Sequence, residues 1–217
     1  MKRRILYVIL SLIAAGLFAQ DITLSRPPAK LGTDVLDAIR QRTAARAFVQ
    51  REVPLADLST ILWAGNGLKD TPDAVSAASK AGATIPVSGD VDYVNLYVLT
   101  AHGVYRFLPD RSLLKQISAK DARSLITPES IATAAFMVLL TADTTRAPSF
   151  MKANPSLFHE VANASASYAA QNIGLVAGSL KLGSIVMYNI KPDAVTAEVK
   201  VPREEVPLCI VQVGYTR

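Results

Sequence analysis

Two arginines four positions apart, Arg42 and Arg46, are the side chains of this sequence best suited to binding an anion. On a helix, residues at this spacing lie on one face. At the end of a helix they would diverge, and one guanidinium could bind a phosphate through two hydrogen bonds while the other contacts a planar ring. The alternative is a solvated helix face, which is the usual place for arginines at this spacing.

The stretch 164–189 is apolar and rich in Ala, Gly and Ser. It predicts a long helix that begins at Pro155–Ser156, is broken by Gly183 and runs into an extended segment. Small side chains let a backbone or a flat ring approach closely, which a leucine-rich helix would prevent. Two polar residues, Gln171 and Asn172, interrupt the apolar surface. A buried packing helix is the alternative interpretation.

The elements that would position these residues follow from the spacing of apolar side chains. Thr33 is predicted to cap a first helix ending near Arg42, and Pro54 to open a second helix that Gly65–Gly67 ends. Two apolar runs around the turn Thr100–Gly103 predict a β-hairpin. Further expectations are a surface loop over 69–88, a short helix after Ser118 and strands near 134–141, 185–187 and 208–213. Because helices and strands alternate irregularly, the predicted fold class is α+β.

Residues 1–19 have the pattern of a secretory signal peptide. Three basic residues at positions 2–4 precede an uncharged run of 14 residues, Ile5–Phe18, which is short for a membrane span. Cleavage is expected after Ala19, and an uncleaved anchor is the alternative. We therefore expect an exported protein, periplasmic or secreted, with no stable membrane insertion after cleavage. Removal of the three basic residues lowers the formal net charge from +5 to +2, which does not favour a nucleic-acid partner.

Other chemistries are disfavoured by the residues present. The two histidines, His102 and His159, are 57 positions apart, and there is no CxxC or HExxH motif, so no metal site is expected. The sequence contains no Gly-x-Ser-x-Gly motif that would indicate a nucleophilic serine. The single cysteine, Cys209, lies in an apolar run and is expected to be a buried thiol. About 200 residues suit one domain, which we assign to 33–217.

Several segments together resemble the nitroreductase family of flavin enzymes, in particular its SagB/ThcOx-type dehydrogenase branch. The run Arg42–Phe48 is similar to the family pattern Arg-Arg-Ser-x-Arg-x-Phe. Leu58–Gly67 is similar to the branch pattern Leu-Ser-x-Leu-Leu-Trp-Ala-x-x-Gly. Gln171-Asn172 matches a Gln-Asn pair on the family's long helix, and Leu182–Ser184 resembles its Gly-Leu-Gly-Ser turn. The resemblance extends over about residues 36–215.

This resemblance implies a nitroreductase-like three-layer α+β fold, with a mostly antiparallel central sheet flanked by helices and one long buried helix. It implies FMN as the cofactor, with Arg42 bound to its phosphate and Arg46 near the ribityl chain or pyrimidine edge. Ala44 stands where the family has Ser, so one hydroxyl contact is missing. The backbone amides of three residues fall where the family presents donors to flavin N5: Met187, Tyr188 and Asn189.

The family's central flavin loop, Pro-Ser-Ala-x-Asn with a Gln two residues later, is matched only in part. Pro86 is kept, whereas Asp90 and Asp92 stand where the family has the two amides. Backbone amides around Ser88 and Gly89 could still bind the ring, because they do not depend on the side chain. A carboxylate at Asp90 would repel the negative charge of a reduced flavin.

The function that the resemblance implies is that of an exported FMN-dependent oxidoreductase. Such proteins are homodimers with FMN at the subunit interface, and they transfer hydride through flavin N5 to or from a small organic substrate. No dinucleotide-binding fingerprint is present, so the small-molecule electron donor or acceptor stays open. The departures in the flavin loop leave two alternatives: a degenerate homodimer that binds flavin or another planar ligand without turnover, and a structural dimer without a ligand.

Overall fold

An antiparallel sheet with helices on both faces forms the centre of the molecule. The computed structural model describes residues 20–69, 82–126 and 133–217. Within these ranges the strands are β1 (Ile22–Thr23), β2 (Val94–Thr100), β3 (Gly103–Leu108), β4 (Leu113–Ser118), β5 (Phe136–Asp143), β6 (Gly183–Met187) and β7 (Glu205–Gly214). They lie in the order β1-β4-β3-β2-β5-β7-β6, and each neighbouring pair is antiparallel.

Six α-helical segments flank this sheet in the described ranges. They are α1 (Val35–Gln41), α2 (Leu55–Asn66), α3 (Arg123–Ile126), α4 (Ser149–Lys152), α5 (Pro155–Ser179) and α6 (Pro192–Ala194). A π-helical turn, Val195–Val199, continues α6, and short 3₁₀ turns lie at Ser88–Asp90 and Pro109–Arg111. The α+β class is therefore confirmed.

The long helix and the second helix begin where the sequence predicts. Asn154 caps α5, accepting the backbone N–H of Leu157, and α2 starts directly after Pro54 and ends before Gly67. The break after α5 was placed wrongly at Gly183, because the helix already ends at Ser179. Lys181 adopts a left-handed φ of 61°, and the N–H of Leu182 returns to the carbonyl of Ala177, so the chain turns toward β6 there.

Three details of the predicted elements are wrong. The cap of α1 is Asp34 rather than Thr33, because the Asp34 carboxylate accepts the N–H of Asp37 at 2.9 Å. The hairpin of β2 and β3 is confirmed, but it continues into β4, a strand that the sequence did not indicate. The expected short helix after Ser118 begins later, at Arg123.

Each face of the sheet carries its own apolar layer. On one face, α2 and α5 pack on strand residues such as Leu96, Val98 and Val211. On the other face, Val195 and Val199 of the π-helical turn pack on a smaller cluster that includes the following residues: Tyr97, Leu99, Met137 and Ile210. The resulting order is helices, sheet, helices, so the three-layer arrangement is observed.

Cys209 is fully buried in β7, as its apolar neighbours predict. Burial raises the pKa of its thiol to about 12, so the thiolate is disfavoured at neutral pH. A thiolate is the reactive form of cysteine, and Cys209 is therefore an inert core residue.

The predicted surface loop 69–88 is only partly covered, because 70–81 lie outside the described residues. Its two ends meet: Leu68 and Ala83 form an isolated bridge, and the N–H of Lys69 donates to the carbonyl of Gly82 at 2.6 Å. Among the helices of the described ranges, none combines the length and the apolar character needed to span a bilayer.

Candidate functional site

The segment after α1 runs beside the edge strand β6. Ala44 forms an isolated parallel bridge with Ser184, and the N–H of Ala45 donates to the carbonyl of Ser184 at 2.9 Å. A Cβ at Gly183 would lie 2.7 Å from the Cβ of Ala45, so only glycine allows this approach. Phe48 is buried further along the same segment. The predicted arginine segment and the predicted turn at Gly183 therefore lie side by side.

Arg42 lies where α1 ends, directly against two glycines of α5. A Cβ atom at Gly178 would lie 3.2 Å from the backbone N of Arg42, and one at Gly174 would lie 3.5 Å from its Cδ. The two glycines are four residues apart, so they share one face of α5. Neither glycine was predicted from the sequence as a contact residue, although two glycines four positions apart inside a helix are a visible signal.

The guanidinium groups of Arg42 and Arg46 are both available for a ligand. Arg42 is half-buried and Arg46 is exposed, and neither side chain forms a hydrogen bond or ion pair within the described part of the chain. In the last turn of the same helix, by contrast, Arg40 pairs with Asp37 at 2.8 Å. A half-buried cation without a partner is suited to an anionic ligand such as a phosphate.

The segment Met187–Asn189 continues from the far end of β6. The Met187 sulfur accepts a hydrogen bond from Gln212 Nε2 at 3.2 Å, whereas Tyr188 is 65% exposed. In the ranges that the structure covers, no backbone acceptor is recorded for the N–H groups of Tyr188 and Asn189. These amides can therefore donate to a ligand, which is the property that the family resemblance requires of them.

The Pro86–Asp90 segment lies at the other end of α5. The N–H of Ser88 donates to the hydroxyl of Tyr93 at 3.3 Å, and that hydroxyl also bonds to Ser165 of α5 at 2.9 Å. Gly89 has a φ of 71°, and a Cβ there would lie 2.6 Å from the ring of Pro148. A groove of about 390 Å³ separates Pro86–Ser88 from the α5 residues Glu160 to Tyr168.

Asp92 has a structural role that its position in the flavin loop did not predict. It is buried and accepts hydrogen bonds from Asn66 Nδ2 and from the N–H of Val94, both at 3.2 Å. Arg146 lies 3.7 Å from the same carboxylate. Asp92 therefore ties the end of the loop to α2 and to the sheet. A glutamine would lack the negative charge that faces Arg146.

Arg146 connects this anchor to the neighbouring strands. Its guanidinium donates to Asn95 Oδ1 at 2.5 Å and to Asp143 Oδ2 at 3.0 Å. Burial by itself would raise the pKa of Asp143, but hydrogen bonds from Thr145 and Arg146 outweigh it and hold that pKa below its ordinary value. Arg146 was not singled out by the sequence, because two of its partners, Asp92 and Asn95, lie about 50 positions earlier in the chain.

The predicted ligand residues thus form three groups, one of which is Met187–Asn189 at the far end of β6. Arg42, Ala44 and Arg46 belong to the group beside Gly174, Gly178 and Ser184, whereas Pro86–Asp90 belong to the group beside Ser165. Ser165 and Gly174 are nine residues apart on α5, which corresponds to about 14 Å along the helix axis. The Arg42 and Pro86–Asp90 groups therefore contact different parts of α5.

Comparisons with known proteins agree with this architecture. The sequence matches the Nitroreductase family over residues 39–215. A putative nitroreductase from Ralstonia eutropha JMP134 is 24% identical, with a TM-score of 0.79, and the match covers 93% of this chain and 96% of that one. A putative nitroreductase from Anabaena variabilis ATCC 29413 is 18% identical, with a TM-score of 0.71, covering 93% of this chain and 42% of that one.

A third structure, a putative NADH dehydrogenase/NAD(P)H nitroreductase from Bacteroides thetaiotaomicron VPI-5482, is 20% identical, with a TM-score of 0.56. The match covers 86% of this chain and 89% of that chain. None of the curated proteins that were compared matches the chain. At these identities the solved structures establish the fold, and the expected nitroreductase-like fold is confirmed.

The close approach of α1 to α5 predicts opposite effects of two alanine substitutions. In Gly174→Ala the new Cβ meets Ser184 Oγ at 3.3 Å and the flexible Arg42 side chain, so the gain in helix propensity should dominate. In Gly178→Ala the new Cβ meets the backbone of Arg42. We expect Gly178→Ala to have a free energy of unfolding about 1–3 kcal/mol below that of Gly174→Ala. Urea unfolding followed by circular dichroism measures the difference, and equal stabilities would contradict the packing described.

Proposed function

The chain belongs to the nitroreductase family, and we propose that it is an exported FMN-dependent oxidoreductase of the SagB/ThcOx-type branch. Members of this family are typically flavin-dependent oxidoreductases. The proposed branch rests on the resemblance of Leu58–Gly67 to the branch pattern. That segment lies within α2 and includes its C-terminal cap, and Trp63 Nε1 donates to the carbonyl of Leu68 at 2.8 Å.

The observation that carries the proposal is the guanidinium of Arg42 at the junction of α1, α5 and β6, which has no hydrogen-bond or ion-pair partner among the described residues. A phosphate dianion bound there would receive charge-assisted hydrogen bonds from Arg42, with Arg46 also available four residues further along the chain. The glycines of α5 keep the floor beside Arg42 free of side chains. These residues fit an FMN phosphate, and the open amides of Tyr188 and Asn189 fit the polar edge of its ring.

FMN supplies hydride transfer at its N5 atom when it is bound. The roles left to this chain are to bind, to orient and to exclude water. Arg42 and Arg46 would neutralise the phosphate, and the backbone amides of Met187–Asn189 would orient the ring. The substrate is proposed to be a small organic molecule that accepts or donates hydride, and the electron donor or acceptor a second small molecule.

We further propose that the active unit is a homodimer. Three apolar side chains of α1 are exposed in the single chain: Val35 at 66%, Leu36 at 58% and Ile39 at 52%. Tyr168 on α5 and Tyr188 after β6 are also exposed. Apolar surface on this scale favours burial against a partner. Within one chain the Pro86–Asp90 segment and Arg42 are separated along α5. In a dimer, the Pro86–Asp90 segment of a second copy could lie beside Arg42 of the first.

The second candidate function is binding of flavin or another planar ligand without turnover. The observations that favour it are the missing hydroxyl at Ala44 and the engagement of Asp92 in a structural anchor rather than at a ligand. Reoxidation of the reduced flavin distinguishes the two functions. A bound flavin absorbing at about 450 nm would be reduced by dithionite in both cases, but only an oxidoreductase would then be reoxidised at a substrate-dependent rate.

Replacing Arg42 tests the proposed phosphate site. We expect Arg42→Ala to weaken FMN binding by about 1.5–3 kcal/mol, the range for a hydrogen bond to a charged group. The affinity for riboflavin, which lacks the phosphate, should not change. Arg40→Ala is the matched control, because Arg40 lies in the same helix and pairs with Asp37. Fluorescence titration measures both affinities, and an equal loss for FMN and riboflavin would remove Arg42 from the phosphate site.

The proposed export predicts the N-terminus of the mature protein. Edman sequencing of the exported protein should begin at Gln20 or Asp21. The folded domain can start there, since the Gln20 N–H donates to Gln116 Oε1 at 2.6 Å and β1 pairs with β4 directly afterwards. Recovery of a protein that retains Met1 in the membrane fraction would instead indicate an uncleaved anchor.

A further inference from the structure

A groove of about 500 Å³ lies on the sheet face opposite α5, far from the residues assigned to the flavin. Its floor is formed by side chains of β2, β3 and β4, and its wall by Lys200 and Pro202, which follow the π-helical turn. The floor belongs to the face that carries Tyr97 and Val104, whereas α2 and α5 cover the other face. We call this depression the rear groove.

Basic side chains are concentrated in the rear groove in an unfavourable arrangement. Arg106 of β3 and Lys115 of β4 are directly opposite each other in the strand register. Like charges in a cross-strand pair destabilise a sheet. Arg111 lines the same groove, so the basic groups are in excess over the two carboxylates that line it, Asp21 and Asp110.

Lys200 adds a second unfavourable feature. It adopts a left-handed conformation with a φ of 56°, directly after a π-helical turn. A residue with a Cβ rarely takes this conformation, and both strained backbone and π-helical turns occur preferentially at functional sites. Glycine would relieve the strain, yet the chain has lysine, with its charge at the wall of the groove.

The acidic groups nearby are largely occupied. Glu205, buried beneath the groove, lies 3.4 Å from Arg106 and accepts the Tyr97 hydroxyl at 3.1 Å. Asp110 lies 3.7 Å from Arg111, and Asp21 accepts the N–H of Gln116 at 3.0 Å. Lys115 and Lys200 make no ion pair within the described ranges. Their charges are therefore available to a ligand.

We propose that the rear groove binds a small organic anion with an apolar body, of the class of aryl or alkyl carboxylates. Lys115 and Lys200 would contact the carboxylate, which offsets the repulsion between Lys115 and Arg106. The apolar body would lie against the half-buried side chains of Leu108, Leu113 and Ile117, which line the same floor. Because this site lies on the other face of the sheet, it does not depend on the proposed flavin function.

Benzoate is the probe for this site, with benzamide as its uncharged analogue. Isothermal titration of the full mature chain, with and without added FMN, should show saturable binding of benzoate and no binding of benzamide. We expect Lys115→Thr and Lys200→Gly each to weaken benzoate binding by about three- to tenfold. Lys152→Thr, an exposed lysine on α4 outside the groove, is the control and should bind like the wild type.

The same variants allow a second measurement, that of the unfolding temperature with and without benzoate. Without ligand, Lys115→Thr removes the opposed like charges and Lys200→Gly relieves the left-handed strain, so both should unfold at the same temperature as the wild type or higher. Benzoate should raise the unfolding temperature of the wild type more than that of either variant. Benzoate binding that does not saturate, that is equal in all variants, or that benzamide matches, would overturn the proposal.

Discussion

The close contact between the end of α1 and the glycine face of α5 is the constraint on which the candidate site depends. With a larger residue at Gly178, the backbone of Arg42 would have to move away from α5. The chain would then no longer run beside β6, where Ala44 and Ala45 meet Ser184. A backbone contact at one helix thus fixes both the direction of the Arg42 side chain and the position of the segment that leads to Arg46.

A second set of contacts holds the other half of the site in place. Asp92 binds Asn66 and lies near Arg146, and Arg146 shares Asn95 Oδ1 with Arg106, which in turn lies beside Glu205. This chain of polar contacts passes around the end of the sheet, from the face covered by α2 to the rear groove. Burial and the adjacent Glu205 carboxylate raise the pKa of Tyr97, so its hydroxyl remains a donor to Glu205. Replacing one of these side chains would leave a buried charge without its partner.

The sequence predicted those elements whose determinants are local. The prolines that open α2 and α5 and the turn between β2 and β3 act within a few residues, and each element was found where these signals indicate. Strand β4 was missed because its side chains alternate only weakly between apolar and polar. The family resemblance predicted the candidate ligand residues, but the separation of Arg42 from Pro86–Asp90 along α5 and the burial of Asp92 arise from contacts between distant parts of the chain, which a linear pattern does not contain.

The central claim is that one FMN binds between two copies of the chain, with its phosphate at Arg42 of one subunit and its ring near the Pro86–Asp90 segment of the other. A crystal structure of the mature protein with FMN tests this claim most directly. The account predicts a two-fold dimer in which the phosphate lies within hydrogen-bond distance of the Arg42 guanidinium and the ring contacts the backbone of Ser88 and Gly89 of the partner subunit. An FMN bound entirely by one chain, or a phosphate held away from Arg42, would contradict it.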